Sequence, residues 1–222
     1  MVRIPSETGG TLEARYDEPV GPHGAPPTRD AVIVCHPHPA FGGSMDTPLI
    51  AALADGFGSA GLPTLRFHFR GIGNSDGTAT GGLVEHADVV AAHRFLLGRG
   101  VERIAWVGYS FGALMALRAL AEGVRPVAYL GIAIPTAIIG EDPIRQADVA
   151  RAMSTGVSTL FYTGALDPLC EVAQLRAWCD AAGHGAVETL EGEAHTFTIV
   201  GAQTVVRRAV TFVTRTLAGS LR

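Results

Sequence analysis

The chain predicts one α/β domain spanning residues 1–222: a mostly parallel sheet of about eight strands with helices on both faces. Three observations carry that expectation. Short runs rich in Val, Ile and aromatic residues alternate with segments whose apolar residues recur at helical spacing. Glycines and prolines punctuate the joins between them. The 222 residues, 47% hydrophobic and 17% charged, supply enough apolar surface for one large core. The strand-like runs are continuously apolar rather than alternating, which marks strands buried on both faces, the habit of parallel sheets.

The elements follow in order. VRI (2–4) and TLEARY (11–16) flank an SETGG turn and read as a hairpin that opens the sheet. Residues 17–30, with EPVGPHGAPPTR at their centre, hold too much Pro and Gly for regular structure and read as a surface loop. AVIVC (31–35) is a buried strand, 48–59 a helix, PTLRFHF (63–69) the next strand and 83–97 a helix. RIAWVGY (103–109) is a strand that runs straight into a helix over 111–121. PVAYLGIAI (126–134), STLFYTG (158–164) and AVETLEG (186–192) supply three more strands, and helices near 169–182 and 202–218 complete the set. In such a sheet, functional groups gather at the carboxyl ends of the strands.

Composition removes several classes of function. The formal net charge is −4, the pI is about 6.0, and all 17 basic residues are Arg. Without lysine there is no phosphate-binding loop ending in Gly-Lys, no Schiff-base lysine and no Ser-Lys dyad. Neither a phosphate-neutralising cluster nor a polybasic patch is present, so neither nucleic acid nor a membrane is an expected partner. Cys35, Cys170 and Cys179 are odd in number and lack ligand spacing, which argues against a disulfide framework and against zinc. No cofactor and no metal are expected. The segment MVRIPSETGG lacks the apolar stretch of a signal peptide and no 18-residue apolar run occurs, so the expectation is a soluble, cytoplasmic protein. Arg in place of Lys throughout points to a GC-rich bacterial coding sequence.

The chemistry concentrates at GYSFG (108–112), between the strand RIAWVGY and the helix FGALMALRAL. A strand that turns abruptly into a helix strains its central residue, and small residues two before and two after let the chain pass itself. Gly108 and Gly112 fill those places. Ser110 is thereby presented at a helix amino terminus, where backbone N–H groups favour developing negative charge. The Phe111 N–H becomes one donor to an oxyanion. HPHPAFGGSMD (36–46), directly after AVIVC, is the loop placed to supply a second. Pro37 and Pro39 have no N–H, which makes His38 the leading donor, with Ala40 and Phe41 as alternatives. The spacing of His36 and His38 also suits a metal, but no third ligand accompanies them. Orientation of the loop by the His36 ring is the plainer reading.

HPHPAFGGSMD, FHFRGIGNSDG (67–77) and GYSFG in this order resemble the small, lidless α/β-hydrolases related to dienelactone hydrolases, commonly described as esterases. The resemblance covers most of the chain and implies an α/β-hydrolase fold with no separate lid domain. It gives Arg70, Gly71, Gly73 and Ser75 a structural role beside the nucleophile. Position 110 is Ser where dienelactone hydrolases carry Cys, so lactone specificity does not follow, and His68 stands where relatives often carry Asn.

In this fold the acid and then the histidine follow the nucleophile. Asp167 lies three residues beyond Gly164 in the loop after STLFYTG, and His195 lies in GEAHTFT after the last strand. His195 is the expected base, with Asp167 fixing its tautomer. Glu171, Glu191 and Glu193 compete for the acid position but lie in a helix or too close to the histidine. His86 and His93 read as one solvated or partly buried helix face, His23 and His184 as loop residues, and Cys35 as packing.

The segment 135–157, where related folds insert a lid, is long enough only for a loop and one helix. An open site follows, with Phe41, Ile134, Ile138 and Ile139, together with Phe111, as apolar contacts for an acyl group. The expected reaction is hydrolysis of a small carboxylic ester. Acyl transfer, thioester cleavage or cyclisation by the same triad is the alternative, and a non-catalytic ligand-binding protein is a third reading. An edge strand or the last helix offers a surface for a homodimer.

Overall fold

The computed structural model describes residues 1–7, 9–19, 28–140 and 143–219. Much of the loop expected over 17–30, His23 included, lies outside the described residues.

Eight strands form one sheet: β1 (Val2–Pro5), β2 (Thr11–Asp17), β3 (Asp30–Cys35), β4 (Thr64–Phe67), β5 (Arg103–Tyr109), β6 (Ala128–Ile132), β7 (Ser158–Gly164) and β8 (Ala186–Leu190). Their spatial order is β1-β2-β4-β3-β5-β6-β7-β8. The hairpin β1–β2 joins β4 antiparallel, and every pairing from β4 through β3 to β8 is parallel.

Strand alternation sorts the core onto two faces. Val32, Val34, Ala105, Val107, Leu130 and Tyr162 point to one face, covered by α1 (Pro48–Ser59) and α7 (Ile199–Gly219). Ile33, Phe67, Trp106, Tyr129 and Phe161 point to the other, covered by α2 (His86–Gly98), α3 (Phe111–Ala121), α5 (Pro143–Met153) and α6 (Val172–Ala182). The buried residues of α7, Val205, Ala209, Val213 and Leu217, repeat every four residues and form a single stripe.

Where boundaries differ from the sequence reading, side chains explain them. The helix expected from 83 begins at His86 because the Glu85 carboxylate accepts from the N–H groups of Thr80 and Gly82 and closes a loop there. α6 begins at Val172, not near 169, because Asp167 Oδ1 accepts the Leu169 N–H at 2.8 Å and holds that stretch as a loop. α7 starts early, at Ile199, where the buried Glu193 carboxylate accepts the Thr198 N–H at 2.7 Å. The strand over 63–69 shortens to Thr64–Phe67, and 126–134 to Ala128–Ile132. The segment 135–157 holds two helices rather than one, a short α4 (Thr136–Ile139) and α5.

No helix among the described residues is long and apolar enough to cross a membrane. The three cysteines are buried and unpaired. His93, read from sequence as part of a solvated or partly buried face, is buried and accepts from Trp106 Nε1 at 3.2 Å, whereas His86 meets Glu122 at 3.0 Å.

Candidate active site

β5 ends at Tyr109 and α3 starts at Phe111, so the whole change of direction falls on Ser110, at φ 54° and ψ −117°. Ser110 is held there by its N–H, which donates to the Ile132 carbonyl at 2.8 Å. The flanking glycines are sterically required: a Cβ on Gly112 would lie 2.3 Å from the Cys35 carbonyl oxygen, and one on Gly108 would lie 2.5 Å from Ala113 Cα.

Three strand ends bring the polar groups together. Ser110 Oγ lies 2.9 Å from His195 Nε2, and His195 Nδ1 lies 2.8 Å from Asp167 Oδ2. The Asp167 side chain is wholly buried, and Oδ2 also accepts from Thr163 Oγ1 at 3.2 Å. A carboxylate only accepts, so Nδ1 must carry the imidazole proton and Nε2 faces Ser110 as an acceptor. Glu193 is committed to Thr198, while Glu171 and Glu191 are exposed. Asp167 alone among the four carboxylates bonds the imidazole.

The loop after β3 is a 3-10 turn at Pro39–Phe41. Ala40 N–H donates to His38 Nδ1 at 3.1 Å, the Phe41 and Gly43 N–H groups to the His38 carbonyl at 3.1 Å, and Gly42 N–H to Pro39 at 2.9 Å. Prolines occupy 37 and 39, which leaves the His38 N–H as the loop donor with no acceptor in the loop. His36 sits beneath. Its Nδ1–H donates to the Pro37 carbonyl at 2.7 Å and its Nε2 accepts the Phe69 N–H at 3.2 Å, so both nitrogens orient backbone. No metal-like cluster of three or more His, Cys, Asp or Glu occurs among the described residues.

The FHFRGIGNSDG segment packs behind this loop, with the Phe69 N–H on His36 Nε2 and the Phe69 ring edge-on to Phe111. Arg70 pairs with the buried Asp88, its N–H donating to Oδ2 at 2.9 Å, and Ser75 Oγ donates to the His68 carbonyl at 2.8 Å. Gly71 and Gly73 take left-handed φ of 72° and 56°, as glycine readily does.

Burial holds His36 and His93 neutral, with pKa lowered from the ordinary 6.5 to about 4 in each. The unfolded chain therefore takes up protons first. Stability from these residues is complete above about pH 6.5 and is lost as pH falls towards 4, by up to about 3 kcal/mol each. Denaturant unfolding between pH 7 and 4.5 should show this fall, and His93→Gln, which keeps an acceptor for Trp106, should flatten it.

Ser110 opens into a cavity of about 660 Å³. Phe41, Ile138 and Phe111 line it, as expected from sequence. Ile134 and Ile139 do not: both are fully buried in the core beneath α4, and only the opposite side of that short helix reaches the cavity. Sequence reasoning missed Leu114, Met115 and Arg118, although they stand three, four and seven residues after Phe111 on the same helix face.

It also missed Tyr109. The Tyr109 hydroxyl donates to the His195 carbonyl at 2.9 Å, and its ring stacks on the imidazole at 5.9 Å between centroids and 29° between planes. Burial pushes its phenol pKa up, which keeps the donor protonated. Tyr109→Phe keeps the stack and removes the anchor. If the site hydrolyses esters, this change should lower kcat about tenfold with KM within about twofold, as measured by steady-state kinetics.

A doubly covered, mostly parallel sheet with a strained serine at its central strand end is the α/β-hydrolase fold, here without a separate lid domain among the described residues. A family model for the alpha/beta hydrolase fold matches residues 30–130, which carry the elbow but neither Asp167 nor His195. The chain superposes on an alpha-beta serine hydrolase homologue from Coxiella burnetii with TM-score 0.79 at 24% identity, covering 95% of both chains. It matches a serine hydrolase without lid from Xanthomonas campestris at TM-score 0.77 and 23% identity, over 96% of this chain and 93% of that one. Est1E from Butyrivibrio proteoclasticus, solved with ferulic acid bound, matches at TM-score 0.77 and 18% identity, over 98% and 100%. At these identities the likeness speaks for the fold. An uncharacterized protein of Rickettsia prowazekii is 32% identical over 111 residues, 49% of this chain, and the match spans only 44% of that relative's length.

Proposed function

We propose that the protein is a serine hydrolase that cleaves carboxylic esters of small molecules through an acyl-enzyme on Ser110. The observation that carries this reading is the hydrogen-bonded series from Ser110 Oγ through His195 to the buried Asp167. Ser110 Oγ attacks the ester carbonyl carbon as its proton passes to His195 Nε2, and Asp167 stabilises the imidazolium. The carbonyl oxygen, now negative, is received by the N–H groups of Phe111 and His38. The C–O bond to the alcohol breaks, the alcohol oxygen takes the proton from His195, and Ser110 is left acylated. Water then attacks the acyl carbon while His195 takes its proton. The acid departs, and the proton returns to Ser110.

Structural neighbours that include serine hydrolases support the reading. Labelling with a fluorophosphonate tests it: wild type should be modified at Ser110, and Ser110→Ala should not. A correctly folded wild type that stays unlabelled would overturn the assignment.

A further inference from the structure

We infer that the site selects esters with an extended linear acyl chain, of about eight carbons, over acetyl esters. This rests on the hydrolase reading and concerns which ester that hydrolase takes.

The first ground is the chemistry of the cavity. Phe111, Leu114 and Met115 form its inner wall, and no Asp or Glu lines it. Arg118 and Arg145 reach it, but their guanidinium groups are engaged within the protein. Arg118 donates to Asp148 at 3.0 Å and to the carbonyls of Gly82 and Leu83, and Arg145 donates to the Ile138 carbonyl. Beyond the reacting centre the cavity therefore offers mainly apolar surface. An acetyl group would fill little of about 660 Å³.

The second ground is where apolar surface is exposed. The described residues expose ten large apolar side chains, and eight of them stand at the carboxyl end of the sheet, the end that holds Ser110. The segments following β3, β4, β6, β7 and β8 each contribute at least one, from Phe41 at 90% and Ile199 at 82% to Val84 at 38%. The two elsewhere are Met1 and Leu97. Phe41, Ile138 and Leu169 belong to both sets, since they also line the cavity. Apolar side chains thus stand both on the inner wall and at the rim, with Phe41, Ile138 and Leu169 joining the two. A macromolecule seated on that rim would stop the mouth, whereas a chain leaving the cavity would cover it.

The direction of the chain follows from the proton path. The alcohol oxygen must face His195 Nε2, and the residues that line the cavity beside His195 are Thr196, which is polar, and Tyr109, whose ring stacks on the imidazole. Across the site stands an aromatic wall, with His38 packed edge-on to Phe111 at 4.7 Å and to Phe41 at 5.5 Å. The acyl chain lies along this wall. A fully buried methylene is worth about fourfold in binding, and a chain half-covered at an open rim gains a fraction of that for each carbon.

The test is kcat/KM for 4-nitrophenyl acetate, butyrate and octanoate, each below its micellar concentration, with Phe41→Ser, Ile138→Ser and Leu97→Ser. The octanoate-to-acetate ratio should reach at least about ten in wild type, fall several-fold in the Phe41 and Ile138 variants, and hold in the Leu97 variant at the opposite end of the sheet. A flat or falling series, or a ratio that survives both rim variants, overturns the inference while leaving the hydrolase reading intact. Absence of all turnover together with absence of fluorophosphonate labelling overturns the hydrolase reading itself.

Discussion

Ser110→Ala is expected to reduce kcat/KM for any ester the protein hydrolyses by about 10⁵-fold while leaving the fold unchanged. The magnitude follows from what remains. With no oxygen at position 110 the acyl-enzyme cannot form, and His195 Nε2, now 2.9 Å from nothing that can attack, has only water to activate. The proposed oxyanion donors, the N–H groups of Phe111 and His38, would persist in the variant and leave residual catalysis. Stability should hold because Ser110 makes its anchoring bond to Ile132 through backbone, and alanine supplies the same N–H. The φ of 54° is a strain that any non-glycine residue bears equally there. Steady-state rates corrected for spontaneous hydrolysis, together with thermal melts of both proteins, measure the two quantities separately. Wild-type rates in the variant would place the chemistry elsewhere.

Asp167→Asn should cost about 10⁴-fold in kcat, against a change within about twofold for Glu171→Gln. The asymmetry comes from hydrogen-bond roles. Asp167 accepts from His195 Nδ1, Thr163 Oγ1 and the Leu169 N–H. An asparagine that turned its oxygen to Leu169 would present an NH₂ to Nδ1, drive the imidazole proton onto Nε2 and take away the acceptor that Ser110 needs. Glu171 stands exposed at the start of α6, and its tie to the fold is a backbone N–H donating to Thr136 Oγ1, which glutamine keeps. Comparing kcat for the two variants at neutral pH decides between the carboxylates.

The three polar residues were legible in the sequence because each depends on local context. Ser110 follows from glycines that a tight turn demands, and Asp167 and His195 follow from loops at the ends of recognisable strands. His38 was reached by eliminating prolines, and in the structure the N–H groups of residues 40–43 are bonded within the loop. The apolar contacts were less legible, since four residues of helix do not reveal which side meets the core. Ile138 and Ile139 are neighbours, yet one is half exposed and the other wholly buried. Tyr109 was hidden for a different reason. As the last residue of β5 it continues the strand's alternation and packs with the core like Val107. Its hydroxyl gains a partner only because the loop beyond β8 returns across the sheet, a contact between residues 86 positions apart.

The place of β8 in the sheet sets how such a catalyst would fail. This strand is bonded on one side only, its residues are half-exposed, and the loop that carries His195 hangs from it. Ser110, by contrast, is rooted between β3 and β6 in the middle of the sheet. Partial opening of a protein begins where protection is least. Mild heat or denaturant would thus peel the rim and withdraw the base while the nucleophile still stood in an intact centre. Inactivation would run ahead of melting, and activity would serve as a gauge of the sheet's outermost edge.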